Sequence, residues 1–125
     1  MMSPRKILVV EDDFDIRTSV VELLESEGYS VAIAENGQVG IDHLCNVIAS
    51  ELPDLILLDL MMPVKDGIQF CSEKSQNEKF SKIPVIIMSA DGHIHEKQAK
   101  TGAVEYLKKP INIDKLLEAL NRHLP

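Results

Sequence analysis

At 125 residues the chain has the length of one domain and can bury a substantial core. Its 45% hydrophobic and 26% charged content is ordinary for a globular protein, and no apolar run approaches the roughly 20 residues of a membrane span. A net charge of −7, from 13 basic and 20 acidic residues without any basic stripe, argues against direct nucleic-acid binding.

The opening Met1-Met2-Ser3-Pro4-Arg5-Lys6 leads into a short apolar run that ends in acids, which is not the pattern of a signal peptide. With two cysteines, Cys45 and Cys71, neither at a metal-type spacing, the chain is expected in the reducing cytoplasm. Both cysteines fall at helical positions where a small apolar side chain would pack.

Short apolar runs alternate with amphipathic segments, as in βαβ units around a parallel sheet. The first strand is predicted over Lys6–Val10. Ile16, Val20, Leu23 and Leu24 mark one face of a first helix, closed by Gly28. A second strand, Ser30–Ala34, is the least apolar and suits a sheet edge. Asn36 caps a second helix whose inward stripe reads Ile41, Leu44, Cys45 and Ile48. The third strand, Leu55–Leu58, is followed by a weaker helix from about Asp66, with Ile68, Phe70 and Cys71 apolar and Lys74 interrupting the stripe. A fourth strand, Val85–Met88, precedes a short polar helix around Ile94–Lys100, stopped by Gly102. The fifth strand, Glu105–Leu107, leads to a helix capped by Asn112 with Ile113, Leu116, Leu117 and Leu120 on one face. The expected fold is α/β: a flavodoxin-like (βα)5 three-layer sandwich with a five-stranded parallel sheet in the order 2-1-3-4-5. One domain is expected over 1–125, stand-alone, with no effector or DNA-binding domain.

Four of these strands end on residues with phosphoryl-transfer chemistry. In an open parallel sheet ligands bind beyond the carboxyl ends of the strands, where the strand order reverses. There strands 1 and 3 are neighbours, so Glu11, Asp12 and Asp59 converge. Three close carboxylates repel unless a cation sits among them, and an all-oxygen set favours Mg²⁺. Taken alone, acids before a helix complement its dipole; convergence with Asp59 favours the metal reading. Asp59 itself, at the end of a buried strand, is a candidate nucleophile towards phosphorus. Ser89 can donate a hydrogen bond to a phosphoryl oxygen, and a lysine can neutralise another. Lys108 and Lys109 compete for the second role, and alternation along a strand lets only one of them reach the site. Pro110 holds Lys109 extended and favours a cis peptide.

Together, Ile7-Leu8-Val9-Val10-Glu11-Asp12, Leu57-Leu58-Asp59-Leu60-Met61-Met62-Pro63 through Asp66-Gly67, Met88-Ser89-Ala90 and Tyr106-Leu107-Lys108-Lys109-Pro110 resemble the response-regulator receiver domain of two-component signalling over essentially the whole chain. The resemblance implies that Asp59 accepts a phosphoryl group from a phosphohistidine of a sensor histidine kinase or a histidine phosphotransfer protein. It implies that Asp12, Asp59 and the Met61 backbone carbonyl ligate Mg²⁺, with Glu11 acting through water. Ser89 becomes the switch hydroxyl, Lys109 the active-site lysine and Tyr106 the aromatic whose rotamer reports the switch. A downstream protein is expected on the face formed by the fourth helix, fifth strand and fifth helix, with no independent substrate turnover.

Some residues depart from that pattern. Glu11 stands for the commoner Asp, Lys65 for an apolar residue, and Lys74 predicts a less firmly packed third helix. The segment between Ser89 and Gly102 is about two residues short, roughly 3 Å of helix. His93 and His95, within it, read as exposed loop residues. Other readings remain. A haloacid-dehalogenase-type phosphatase wants a second Asp where Met61 stands. A flavodoxin-type electron carrier is opposed by the acids after strand 1. A phosphorylation-independent binding module on the same fold is opposed by the complete strand-end set.

Overall fold

The computed structural model describes residues 4–90 and 101–124. Five strands, β1 (Lys6–Val10), β2 (Ser30–Ala34), β3 (Leu55–Asp59), β4 (Val85–Ser89) and β5 (Glu105–Lys108), form one parallel sheet in the order β2-β1-β3-β4-β5. The helices are α1 (Phe14–Ser26), α2 (Gly37–Asn46), α3 (Gly67–Ser75) and α4 (Ile113–His123), the last being the fifth helix of the sequence reading. The expected helix at Ile94–Lys100, with His93 and His95, lies outside the described residues.

Strands buried on both faces carry apolar side chains at every position, and their alternation feeds two cores. Leu8, Val10, Ile56, Leu58, Val85 and Ile87 pack with Ile41 and Leu44 of α2 and Phe70 and Cys71 of α3. Ile7, Val9, Leu55, Leu57, Ile86, Met88 and Leu107 pack with Val20 and Leu24 of α1 and Leu116, Ala119 and Leu120 of α4. The sheet is thus the middle of three layers. β2 lies at the edge and leaves Ile33 exposed, as its weaker apolar pattern predicts.

Capping residues set the helix starts. The side chains of Asp13, Asn36, Asp66 and Asn112 accept hydrogen bonds from Ile16, Val39, Gln69 and Lys115 N–H, and Asp66 with Gln69 forms a full capping box. Gly28, with φ 91°, follows the end of α1.

Several packing expectations need correction. Cys45 is exposed, and Ile48 lies beyond the end of α2, also exposed. The buried strip of α2 runs through Gly37, Gly40, Ile41 and Leu44, and Lys79 ends it by donating to Cys45 O at 3.0 Å and to Val47 O. Ile113 is exposed at the first turn of α4; Leu116 and Leu120 are buried as expected, and Ala119 joins them in the core. Lys74 does not loosen α3. Its stem is buried, and its ammonium donates to Ser81 O at 2.7 Å, fastening α3 to the loop before β4. Burial lowers its pKa.

Candidate phosphoacceptor site

The acid run after β1 divides between two tasks. Asp13 caps α1 and Asp15 complements its first turn, so these serve the helix. Glu11 and Asp12 serve the site. Glu11 N–H continues the sheet by donating to Ala34 O at 3.0 Å, which keeps its side chain on the parity of Ile7 and Val9. Asp59 shares the parity of Leu55 and Leu57, and Lys109 that of Leu107. All three therefore share the α1–α4 side of the sheet's carboxyl edge.

The distances follow that count. Lys109 Nζ lies 2.7 Å from Glu11 Oε1 and 3.4 Å from Asp59 Oδ2, while Lys108 is exposed. Lys109 is thereby the lysine of the site, and its peptide bond to Pro110 is cis. Carboxylate oxygens of Glu11, Asp12 and Asp59 lie within 4.8 Å of one another. Glu11 and Asp59 are buried and Asp12 is exposed, so the cluster opens to solvent on the Asp12 side. Glu11 Oε2 accepts from Asp13 N–H at 3.3 Å, and Asp59 Oδ1 from Met61 N–H at 3.1 Å. Among the described residues, buried Glu11 Oε1 lies against the Lys109 ammonium and accepts no hydrogen bond of ordinary geometry.

Crowding shows in the proton affinities. Burial, reinforced by Glu11, pushes the Asp59 carboxyl up to about 8, against the opposing pull of Met61 N–H and Lys109. For Asp12, partial burial works against ionisation, but hydrogen bonds with Asp59 and Glu11 outweigh it and the pKa falls. Lys109 is likewise opposed by burial, yet Glu11 and Asp59 raise its pKa. Three converging carboxylates, with the proton affinity of Asp59 raised by burial and Glu11, make a donor set that a hard divalent cation fits.

Ser89 is fully buried at the end of β4, and its carbonyl accepts from Lys109 N–H at 2.9 Å. By parity it belongs with Val85 and Ile87 on the α2–α3 side, as does half-buried Tyr106, which stands opposite Ile87. These two expected switch residues thus share one face, apart from the Glu11–Asp59–Lys109 face. Met61 is exposed beside Asp59.

Two features of the loop after Asp59 were not assigned from sequence. Gly67 N–H donates to Leu60 O at 2.9 Å, and a Cβ at Gly67 would lie 2.8 Å from Leu60 Cα, so only glycine lets α3 start so close to the acid. Val64 has φ 69°, with Lys65 N–H donating to Pro63 O at 2.7 Å across it: a γ-turn on a β-branched residue. The Pro63-Val64 pair carried no sequence signal for that turn. Lys65 folds back to pair with Glu73.

A family model described as the response regulator receiver domain matches residues 7–121. The chain belongs to that family. Over 99% of its length, and 97% of the relative's, this receiver is 34% identical to sporulation initiation phosphotransferase F of Bacillus subtilis strain 168. It is 36% identical over 116 residues to the response regulator MprA of Mycolicibacterium vanbaalenii, but spans only about half the length (48%) of that relative. Among solved structures, the chemotaxis protein CheY4 of Vibrio cholerae superposes with a TM-score of 0.86 at 27% identity, covering 97% of this chain and 99% of that one. The receiver domain of the sensor histidine kinase PA1611 of Pseudomonas aeruginosa PAO1, which holds a magnesium ion in its active-site cleft, gives 0.84 at 28% identity, covering 96% and 97%.

Proposed function

We propose that Asp59 is the phosphoacceptor of this receiver and that it takes the phosphoryl group from a phosphohistidine. The observation that carries this reading is the Lys109 ammonium set between Glu11 and Asp59, with Asp12 at the open side. A carboxylate oxygen of Asp59 attacks phosphorus, an O–P bond forms as the P–N bond breaks, and the imidazole leaves after taking a proton from solvent. Asp59 must be ionised to attack, and its proton affinity without a cation works against that. Glu11, Asp12, Asp59 and the Met61 carbonyl are the groups that would hold Mg²⁺. When bound, the ion supplies positive charge that favours ionised Asp59 and offsets charge on the phosphoryl oxygens.

Lys109 then exchanges its 3.4 Å contact with Asp59 for a phosphoryl oxygen. Met61 N–H holds one carboxylate oxygen in place. The added group brings about −1.5 to −2 charge. Ser89 donates its hydroxyl to it, and Tyr106, on the same sheet face, turns inward in response. The altered surface around β5 and α4 is read by a downstream protein. The chain acts as a signalling domain that promotes its own phosphorylation and dephosphorylation rather than turning over an independent substrate.

The donor is a sensor histidine kinase or a histidine phosphotransfer protein. An apolar groove of about 370 Å³ between α1 and α4, lined by Ile16, Val20, Leu23 and Ile111, ends at Lys109 and offers such a donor a seat beside the acceptor. Among the described residues no helix is long and apolar enough to cross a membrane. Two free thiols accord with a cytoplasmic site of action.

Incubation with a small phosphodonor and Mg²⁺, followed by intact-mass measurement, tests this reading. One phosphoryl mass is expected, absent in Asp59→Asn and absent with chelator. No gain in mass, or a gain kept by Asp59→Asn, overturns it.

A further inference from the structure

The peptide bond between the first two acids of the site lies just beyond the last paired residue of β1. β1 pairs as far as Val10, opposite Ala34 of β2 and Leu58 of β3. Glu11 N–H still reaches Ala34 O. Because N–H and C=O of one strand residue point the same way, the Glu11 carbonyl turns to the β2 side, beyond the last paired residues Val10 and Ala34. Arg17, in the first turns of α1, reaches back six residues and donates from Nη1 to that carbonyl at 2.8 Å. Its guanidinium lies 5.6 Å from the centroid of the Phe14 ring, which braces the fork from the solvent side. Arg17 N–H also donates to Asp13 O at 2.9 Å, so backbone and side chain close a loop around Glu11, Asp12 and Asp13.

A peptide group is planar, so holding the Glu11 carbonyl fixes the plane that leads into Asp12. Turning that plane would re-aim the Glu11 side chain against Lys109 and swing Asp12 relative to Asp59. Asp12 is shifted by burial, Asp59, Glu11, its own N–H and Lys109, and Asp59 by burial, Glu11, Met61 N–H and Lys109. The guanidinium, engaged with a carbonyl and a ring, acts through geometry.

We propose that Arg17 is a positioning residue for divalent-cation binding: by clamping the Glu11–Asp12 peptide it presets the directions of two of the three carboxylates. The proposal rests on the metal reading of the acidic cluster. Preorganisation of this kind shows in affinity, because a free loop must be ordered each time an ion binds.

Calorimetric titration of Mg²⁺ into wild type, Arg17→Ala and Arg17→Lys, with Mn²⁺ binding followed by electron paramagnetic resonance and thermal midpoints measured alongside, decides the matter. Arg17→Ala is expected to weaken both ions three- to tenfold, and Arg17→Lys, which keeps a charged donor, to recover at least half of that loss. The loss should persist at temperatures far below either variant's midpoint. Unchanged affinity in Arg17→Ala overturns the clamp and leaves the metal site standing. A loss that Lys does not recover, or that appears only near the thermal midpoint, assigns Arg17 a merely structural role and also overturns it. Wild type that binds neither ion removes both the clamp and the metal reading.

Discussion

At the scale of single residues, the site is an electrostatic compromise that Lys109 holds together. Glu11 is fully buried, and a buried carboxylate costs several kcal/mol unless a cation faces it. Lys109→Met keeps the aliphatic stem but removes the ammonium. We expect it to destabilise the metal-free protein by about 3 kcal/mol in urea unfolding, and Mg²⁺ to return much of that. A loss below about 0.5 kcal/mol would show that the 2.7 Å contact with Glu11 is incidental. Asp59→Asn should act the other way. With its carboxyl pushed up to about 8 by burial and Glu11, Asp59 opposes folding when ionised, so the amide should raise the metal-free thermal midpoint at neutral pH and abolish stabilisation by Mg²⁺. Much of this cluster was legible in the sequence: residue types at the strand ends bring Glu11, Asp12 and Asp59 together, whereas parity left Lys108 and Lys109 in competition and only the resemblance favoured Lys109. What stayed hidden was the direct Glu11–Lys109 pair: Glu reaches further than Asp, and reach is a matter of rotamers, not of spacing.

At the scale of elements, the loop between β3 and α3 carries local strain beside the acceptor. An L-residue in the left-handed region costs on the order of 1–2 kcal/mol, and a β-branched one has the least freedom to relieve it. Val64 is exposed, so its side chain returns little by packing. Val64→Gly is expected to stabilise the protein by about 1 kcal/mol, read as a higher urea midpoint at unchanged slope. An unchanged or lower midpoint would mean that the turn is not strained. On β5, the Glu105 carboxylate receives Arg122 and His123 of α4, with His123 Nε2 at 2.9 Å. The hydrogen bond from Arg122 lowers the Glu105 pKa below its ordinary 4.5, and His123 adds to it. The unfolded chain thus binds this proton first as pH falls. The contribution is present above pH 4.5 and is lost as pH falls through the lower folded value. Glu105→Gln should therefore lose less stability than wild type between about pH 5 and pH 3; parallel acid limbs would count against the pairing. Strand bounds and helix caps could be read from sequence because apolar runs and Asn or Asp caps are local signals, whereas strand order came only with the fold class. The faces of α2 and α4 were less legible. Because α2 ends at Asn46, a stripe extended by period alone runs into the loop and wrongly buries Ile48, while Cys45, still in the last turn, lies off the buried strip of Gly37, Gly40, Ile41 and Leu44.

At the scale of the whole molecule, two cores on either side of one sheet separate the working parts. The α1–α4 side carries Glu11, Asp59 and Lys109, and the α2–α3 side carries Ser89 and Tyr106. A group added to Asp59 at the edge shared by both faces can therefore be sensed through Ser89 without disturbing the ion pair's own core. The same division places one thiol outside and one within. Burial pushes Cys71 up to about 11, while Cys45 is exposed. A thiol reagent should label one cysteine in the native protein, Cys45, and both in urea, with peptide mapping as the check. Rapid native labelling of Cys71 would contradict the packing of α3. The central claim concerns the chemistry at Asp59. Borohydride reduces an acyl phosphate on aspartate to homoserine, so reduction after phosphorylation, followed by peptide sequencing, marks the acceptor covalently. The account predicts homoserine at position 59 alone and only when Mg²⁺ was present. Homoserine at Asp12, or none anywhere in a protein that gained phosphate, would contradict it.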